Sequence, residues 1–297
     1  MIKKICKNDI CCIIITYNPS NELEKLLNII INQVSKIIII DNFSKEENYK
    51  LIQSSKQFDK ITIIRNNFNL GIAKALNQGL SFAKELGFNW AITFDQDTIP
   101  FSDIVDTLLD VYNDFFEKDL IGAIGVNSID INNNLYLTPR QGSSYSIREY
   151  VITSGTLLSL QSFTDINGFF DDLFIDNVDI DYSIRLKLNG KISLLTSKCG
   201  MVHKPGNSIS KKYFGINIES FNHNSLRKYY MSRNNFILTK KYIFRLPLFI
   251  LKMNFFYLIS LLKMIIVEND RRRKIKFTFK GIYDGLTYNL LNKKHGL

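Results

Sequence analysis

Two acidic residues, Asp95 and Asp97, follow a mostly apolar run in the segment WAITFDQDTIP at residues 90–100. Residues i and i+2 of an extended strand share a face, so both carboxylates would reach one point if extended backbone continues to Asp97. Mg²⁺ and Mn²⁺ prefer oxygen ligands and join carboxylates to substrate phosphates. The pattern therefore indicates a metal site for a diphosphate. A capped turn before Pro100 beside a solvated strand end is the structural alternative.

A second acidic cluster, Asp176, Asp179 and Asp181, begins a predicted helix in the segment at residues 168–190. The helix dipole and capping account for one or two acids at such a position, but less readily for three. A carboxylate held beside a cleft can act as a general base and take the proton of an attacking hydroxyl. Arg185, one turn beyond Asp181, is predicted to form a salt bridge with these acids.

His203 ends a predicted strand and precedes a Pro-Gly turn, in the segment MVHKPG. An imidazole at a strand end is either a metal ligand or a hydrogen-bonding group of the core, and the sequence leaves both open. The four cysteines lack the spacing of a metal site or a disulfide framework, which indicates a reducing compartment.

The elements that must position these residues alternate between strands and helices. Apolar runs at 10–16, 36–41, 61–66 and 90–95 are separated by helical patterns, which predicts a parallel sheet covered on both faces. Ligands of such sheets bind beyond the carboxyl ends of the strands. We therefore expect one cleft to collect the polar residues that end the strands: Thr16, Tyr17, Asn18, Asp41, Asn42, Arg65, Asn66, Asp95 and Asp97.

Beyond residue 100 the pattern is mixed. Strands are predicted at 121–127, 150–153, 155–160 and 191–197, and helices at 101–118 and 178–190. The sequence contains neither G-x-G-x-x-G nor G-x-x-x-x-G-K-[ST], so the usual glycine-rich phosphate loops are missing. A phosphate must then be held in another way.

The net charge of +10 comes from residues 240–297, where 13 Lys or Arg face 3 Asp or Glu. The aromatic residues of this tail lie in an apolar run, which favours lipid or core contacts over stacking on nucleic-acid bases. Its longest stretch without a charge, residues 253–262, is shorter than the roughly 20 residues of a membrane span.

The tail is therefore predicted to form an interfacial helix at an anionic membrane surface. Lys252 and Lys263 are 11 positions apart and so share one face of that helix. A soluble helical hairpin packed on the preceding domain is the alternative.

Taken in order, several segments resemble the family-two inverting glycosyltransferases with the GT-A fold, and within them the rhamnosyltransferase-like branch. The resemblance covers about residues 10–235 and rests on the ordered set IIITYNPS, IIIIDNFS, RNNFNLGIAKALNQGL, TFDQDT, TSGTLLS, GFFDDLFIDNVDIDYSIRLKLNG and RKYYMSRNNFIL. It implies an α/β fold with a Rossmann-like nucleotide-binding half and a mixed central sheet. The implied domains are a GT-A domain at 1–239, with a nucleotide-sugar half (1–100) and an acceptor half (101–239), and a helical, basic region at 240–297.

The resemblance also implies roles for single residues. Asp179 would be the catalytic base, although Val178 stands where relatives often have Glu. Asp97 would hold Mg²⁺ or Mn²⁺, and His203 would complete the metal shell. The nucleotide-sugar would be bound by Thr16, Tyr17 and Asn18 at base and ribose, Asp41 at the pyrimidine edge, Asn69 and Lys74 near the diphosphate, and Asp95.

The leading hypothesis is therefore an inverting, metal-dependent glycosyltransferase. It would move L-rhamnose from a dTDP donor to a glycan or polyprenyl-diphosphate-linked acceptor, in surface polysaccharide or O-antigen assembly at the cytoplasmic face of the plasma membrane. UDP-linked hexoses are alternative donors. A non-catalytic nucleotide-sugar binder and an RNA-binding protein are the competing classes.

Overall fold

The computed structural model describes residues 4–55, 59–130, 135–136, 138, 142–203, 209–213 and 216–290. The chain forms two compact units, one of Met1–Asp172 with Val178–Lys204 and one of Leu173–Asn177 with Pro205–Leu297. The boundary expected at residue 239 falls inside a helix of the second unit. The predicted separation of a catalytic domain from a basic tail at this residue stays a prediction. The two compact units divide the chain earlier, with the second unit continuing from Pro205.

A ten-stranded mixed sheet forms the centre of the first unit, and its main path runs β3-β2-β1-β4-β9-β6-β10-β5. Its strands are β1 (Ile10–Thr16), β2 (Lys36–Asp41), β3 (Ile61–Arg65), β4 (Trp90–Asp95), β5 (Ile99–Pro100), β6 (Ile121–Asp130), β7 (Leu135–Tyr136), β8 (Tyr145–Arg148), β9 (Thr156–Ser159) and β10 (Ile192–His203). The first four agree with the predicted strands to within one residue.

The carboxyl ends of these first four strands lie side by side. β1 to β4 pair in parallel, and their register places Thr16 beside Asp41, Asp41 beside Arg65, and Ile15 beside Asp95. The carboxyl ends of the four strands therefore lie along one edge of the sheet, and the expectation that their polar residues line one cleft stays a prediction.

The second half of the sheet departs from the parallel pattern at β9, which runs antiparallel to both β4 and β6. The strand predicted at 150–153 is wrong, because these residues form a loop between β8 and β9. Val151 in this loop is buried, and a Cβ added at Gly125 would lie 2.8 Å from the Val151 Cβ atom. The apolar residues of the segment thus reflect packing of a loop against the sheet.

Helices accompany the sheet: α1 (Glu22–Ile30), α2 (Glu46–Ser54), α3 (Ile72–Glu85), α4 (Ile104–Asp114), α5 (Leu160–Asp165) and α6 (Val178–Leu188). All seven residues of β1 are buried. A continuous apolar run is typical of a parallel strand covered on both faces, which is why β1 lacks the polar alternation of a half-exposed strand.

The second unit contains β11 (Ile209–Tyr213), β12 (Ile216–Ser220), α7 (Ser225–Tyr242), α8 (Pro247–Val267) and α9 (Arg271–Thr287). Glycines let α9 approach α7 closely, because a Cβ added at Gly281 would lie 2.3 Å from the Tyr229 carbonyl oxygen and one at Gly285 would lie 2.6 Å from that of Arg233. Within the described residues, α8 alone has the length and composition that a membrane crossing requires.

Candidate active site

Gln96 joins the ends of β1 and β4 at the carboxyl edge. Its Oε1 atom accepts a hydrogen bond of 2.7 Å from the Tyr17 N–H, and its Nε2 atom donates one of 3.1 Å to the Tyr17 carbonyl. Half of the Tyr17 side chain remains exposed. Sequence reasoning missed Gln96, although it stands between the two aspartates that drew attention to this segment.

Asp95 and Asp97 lie at this edge, but not on one extended strand. β4 ends at Asp95, and Gln96 and Asp97 form a turn that the Thr98 N–H closes onto the Asp95 carbonyl at 3.2 Å. The condition for both carboxylates to reach one point from an extended strand is therefore not met, and a turn before Pro100, as in the structural alternative, is present. Asp97 is exposed and Asp95 half-buried. The Asp95 N–H donates to Ser154 Oγ at 3.1 Å, which ties the turn to the loop before β9.

Asp41 is a fully buried carboxylate that holds the loop after β2. Thr16 Oγ1 donates to it at 3.3 Å, Ser44 donates through both its N–H and its hydroxyl, and Arg65 Nε lies 3.4 Å from Asp41 Oδ2. Ser44 Oγ in turn accepts from the N–H of Asn18 at 2.8 Å. Asp41 thus stabilises the loops at this part of the edge from a buried position. Its expected contact with a pyrimidine stays a prediction.

Amide side chains fix the loop between β3 and α3. Asn69 Oδ1 accepts from Asn42 Nδ2 and from the Gly71 N–H, each at 2.9 Å, and Asn42 Oδ1 accepts from the Leu70 N–H at 2.9 Å. Gly71 caps α3 with φ 83°, a left-handed conformation that glycine adopts without strain. Lys74 is exposed on the first turn of α3. The predicted residue Asn69 is therefore part of the scaffold that carries Lys74.

Two of the three acids near α6 pair with arginines. Asp181 is fully buried and accepts from Arg185 Nε at 2.8 Å, while Arg185 Nη1 also donates to the Ile166 carbonyl at 2.6 Å and to that of Gly168. The predicted structural role of Arg185 is confirmed. In the second unit, Asp176 pairs with Arg227 at 3.0 Å.

Asp179 is half-buried in the first turn of α6, where its Oδ1 atom accepts from the Ile180 N–H at 2.9 Å. Partial burial and then the charge of Asp179 raise the pKa of Tyr150, which keeps 44% of its surface exposed. The sequence carried no signal for Tyr150, because it lies 29 positions from Asp179. His203 is the last residue of β10, and its side chain lies outside the described part.

The donor atoms at the carboxyl edge suit a hard divalent cation. In the described part of the chain no three His, Cys, Asp or Glu side chains form a metal-binding group. Two carboxylates two positions apart, one of them exposed, instead match the way Mg²⁺ is bound through one or two carboxylates together with substrate phosphates. Carboxylate oxygens suit such a cation, and the assignment of Asp95 and Asp97 as its ligands stays a prediction.

Known proteins resemble this chain in both sequence and structure. The dTDP-rhamnosyl transferase RfbF of Shigella flexneri is 27% identical in an alignment of 289 positions that covers 93% of each chain. The structure is similar to that of TarS 1–349 from S. aureus in complex with UDP-GlcNAc, with a TM-score of 0.56, 11% identity, and coverage of 95% of this chain and 74% of that one.

The mannosyltransferase PcManGT from Pyrobaculum calidifontis, in complex with GDP-Man and Mn²⁺, has a TM-score of 0.56 at 14% identity, over 78% of this chain and 64% of that one. These likenesses show a GT-A-like fold. The model of the family described as "Glycosyl transferase family 2" matches residues 11–164. The chain therefore belongs to glycosyl transferase family 2 and is a glycosyltransferase.

Proposed function

We propose that the enzyme transfers L-rhamnose from dTDP-L-rhamnose to a hydroxyl group of a glycan or of a polyprenyl-diphosphate-linked acceptor. The observation that carries this proposal is the match to a dTDP-rhamnosyl transferase along 93% of both chains, which includes the second half as well as the nucleotide-binding strands. A lipid-linked acceptor would place the reaction at the cytoplasmic face of the plasma membrane, in surface polysaccharide assembly.

The donor would bind along the carboxyl edge of β1 to β4. Tyr17, which Gln96 holds by two hydrogen bonds, would contact the base and ribose together with Thr16 and Asn18. Lys74 is exposed and cationic at the start of α3, where the helix dipole also favours an anion, so it suits the diphosphate.

Asp179 would act as the base. Its carboxylate would take the proton of the acceptor hydroxyl as that oxygen bonds to the anomeric carbon and the bond from this carbon to the diphosphate oxygen breaks. One such displacement inverts the anomeric centre. Tyr150, whose pKa rises partly because of the Asp179 charge, would lie close enough to orient the acceptor.

Asp95 and Asp97 would hold the cation, with Mg²⁺ or Mn²⁺ as candidates, and His203 would complete its shell. A bound cation neutralises the charge that develops on the leaving diphosphate, so no general acid is required. The Mn²⁺ bound to the mannosyltransferase of similar fold supports this assignment.

A donor panel tests the proposal. Release of nucleoside diphosphate is measured with dTDP-rhamnose, UDP-galactose, UDP-glucose and UDP-N-acetylglucosamine, with and without Mn²⁺, in the presence of a lipid-linked acceptor. We expect release from dTDP-rhamnose that depends on the metal. Release from a UDP-sugar but not from dTDP-rhamnose would show that the donor is that UDP-sugar. Metal-dependent donor binding without release of any nucleoside diphosphate would favour a non-catalytic binder.

The variant Asp97→Ala should lose the Mn²⁺ response, whereas Asp59→Ala, which removes an exposed acid elsewhere in the first unit, should retain it. An unchanged Mn²⁺ response in Asp97→Ala would remove Asp97 from the metal site.

A further inference from the structure

The exposed surface of α8 carries a continuous apolar stripe. Its members recur at spacings of three and four residues, and each is at least 45% exposed: Leu248, Leu251, Phe255, Leu258, Leu262 and Ile265. A stripe with this periodicity is the core-facing pattern of an ordinary helix. Here it is exposed rather than packed on α7, so its occupant lies outside the second unit.

The surface of α8 next to the stripe packs against α7, and three residues on the far side are buried: Ile250, Met264 and Val267. Asn254 Oδ1 accepts from Asn235 Nδ2 at 2.6 Å and from Thr239 Oγ1 at 3.1 Å, and the Tyr257 hydroxyl donates to Ser232 Oγ at 2.7 Å. The middle of α8 therefore lies along α7.

This packing opposes a transmembrane arrangement of α8. The helix α7 carries charges along its whole length: Arg227, Lys228, Arg233, Lys240 and Lys241. Charged side chains in the hydrocarbon core are costly, so α7 stays outside it. The length of α8 alone would permit a crossing, but α8 cannot cross the membrane while it holds α7.

Two cations of α8 lie along one side of the stripe. At 100° per residue, Lys252 and Lys263 lie about 100° around the helix from the centre of the stripe. The helix α9 repeats the arrangement, with exposed Phe279, Tyr283 and Leu286 beside exposed basic residues: Arg272, Arg273, Lys276 and Lys280. An open depression of about 490 Å³ at the turn between the two helices is lined by residues 268–273, which include three arginines and two acids.

We propose that α8 and α9 form a docking surface for an anionic lipid membrane, with α8 lying in the plane of the interface. The apolar stripes of α8 and α9 enter the acyl region, and the neighbouring lysines and arginines contact anionic headgroups. The cations also disfavour a homodimer formed through this surface, because two copies would bring like charges together. The inference holds whichever sugar donor the enzyme uses.

Flotation of the purified full chain tests the proposal, with phosphatidylcholine vesicles and with vesicles that also contain phosphatidylglycerol. The wild type should float with the anionic vesicles, and less so as salt is added. Phe255→Asp/Leu258→Asp should weaken binding at least about tenfold, because two large side chains would no longer enter the acyl region. Leu248→Asp/Leu251→Asp serves as a second stripe variant, and Phe116→Asp/Leu86→Asp, exposed apolar residues of the first unit, as the matched control.

A second pair of variants tests the contribution of the basic residues to vesicle binding. Arg272→Glu/Lys276→Glu changes α9, and the control Lys25→Glu/Lys50→Glu makes the same change in net charge on helices of the first unit. The first variant should lose the preference for anionic vesicles and the second should keep it. Three results would overturn the proposal. They are a wild type that floats with neither vesicle, stripe variants that still float, and a dimer without flotation that the stripe variants dissociate. Resistance of membrane-bound protein to carbonate extraction would instead indicate a spanning helix.

Discussion

At the scale of single residues, the candidate site depends on side chains that form hydrogen bonds at the carboxyl ends of the β-strands and in the loops that follow them. Gln96 pairs with both polar atoms of the Tyr17 peptide, and Asp41 gathers Thr16, Ser44 and Arg65. These contacts join the loops that follow β1, β2 and β4. The geometry of the proposed donor site therefore depends on residues that need not contact the donor.

Replacing Gln96 tests this dependence. Gln96→Ala removes both hydrogen bonds to Tyr17, and a loss of about 1 kcal/mol in the positioning of Tyr17 should raise the donor KM about fivefold with little change in kcat. Steady-state kinetics measure the effect. Gln53→Ala, an exposed glutamine of α2, is the control and should match the wild type. Equal KM values for the two variants would show that the contact has no role in donor binding.

The imidazole of His223 should make stability depend on pH. Burial, followed by the charges of Arg227, Lys228 and Lys274, lowers its pKa from 6.5 to about 4 against the opposing effect of Glu268. Between these two values the unfolded chain binds a proton that the folded chain does not. The free energy of unfolding should therefore fall as the pH is lowered from 6.5 to 4.

Urea denaturation at several pH values measures this loss, which should be on the order of 1 kcal/mol for a partly exposed group. In His223→Gln the contribution disappears, and the difference between variant and wild type isolates it from the titration of carboxylates. A difference that stays constant between pH 4 and 6.5 would contradict the prediction.

At the scale of elements, α7 holds an irregular segment of the second unit. Phe174, Asp176 and Asn177 have positive φ angles of 60–66°, which cost non-glycine residues free energy. The fully buried Asn234 donates from Nδ2 to the carbonyls of Leu173, Ile175 and Asp176 at 2.8–2.9 Å. These bonds offset the strain in the segment that directly precedes α6 in the chain.

Asn234→Ala should lower the free energy of unfolding by about 2–4 kcal/mol, because it removes the hydrogen bonds that a fully buried amide donates to three carbonyls. Denaturant unfolding measures the change. The exposed Asn217 of β12 provides the control, since Asn217→Ala should change stability by less than about 0.5 kcal/mol. A change in Asn234→Ala no larger than that of the control would mean that the segment holds its own conformation.

The sequence predicted β1 to β4, β6, β9, part of β10, and α6, but not the short strands β5, β7 and β8 or the pair β11 and β12. Continuous runs such as Ile10–Thr16 are strong signals because the strand is buried on both faces. The turn at Gln96 and Asp97 was only an alternative to continued extension, and the loop at 150–153 was mistaken for a strand because Val151 packs against the sheet. A local run of apolar residues indicates that a segment is buried. Because loops can be buried as well as strands, such a run does not distinguish the two.

At the scale of the whole molecule, what the sequence left open depends on contacts between distant segments. The burial of Asp41 requires Thr16 and Arg65, each 24 or more positions away. The apolar surface of α8 could not be located until Asn254 and Tyr257 identified the face that packs on α7. Family resemblance supplied the roles of Asp97 and Asp179, which composition and spacing alone left undecided.

A buried ionic cluster also appears only at this scale. Glu268 lies between Lys228 and Lys274, at 2.8 and 2.7 Å, and accepts from Ser220 Oγ at 2.6 Å. Burial disfavours its ionised form, but these hydrogen bonds outweigh burial and lower its pKa. The cluster joins β12, α7 and α9 to the end of α8, and so fixes the helices that carry the proposed membrane surface.

The account depends most on Asp179 as the base of a transfer reaction. The direct measurement is to determine, for wild type and Asp179→Asn, both the dissociation constant of dTDP-rhamnose with Mn²⁺ and the rate of rhamnosyl transfer to acceptor. We predict a donor affinity within about threefold of wild type and a transfer rate at least about a thousandfold lower, since the variant cannot accept the hydroxyl proton. Transfer by Asp179→Asn at a rate close to that of wild type would contradict the account.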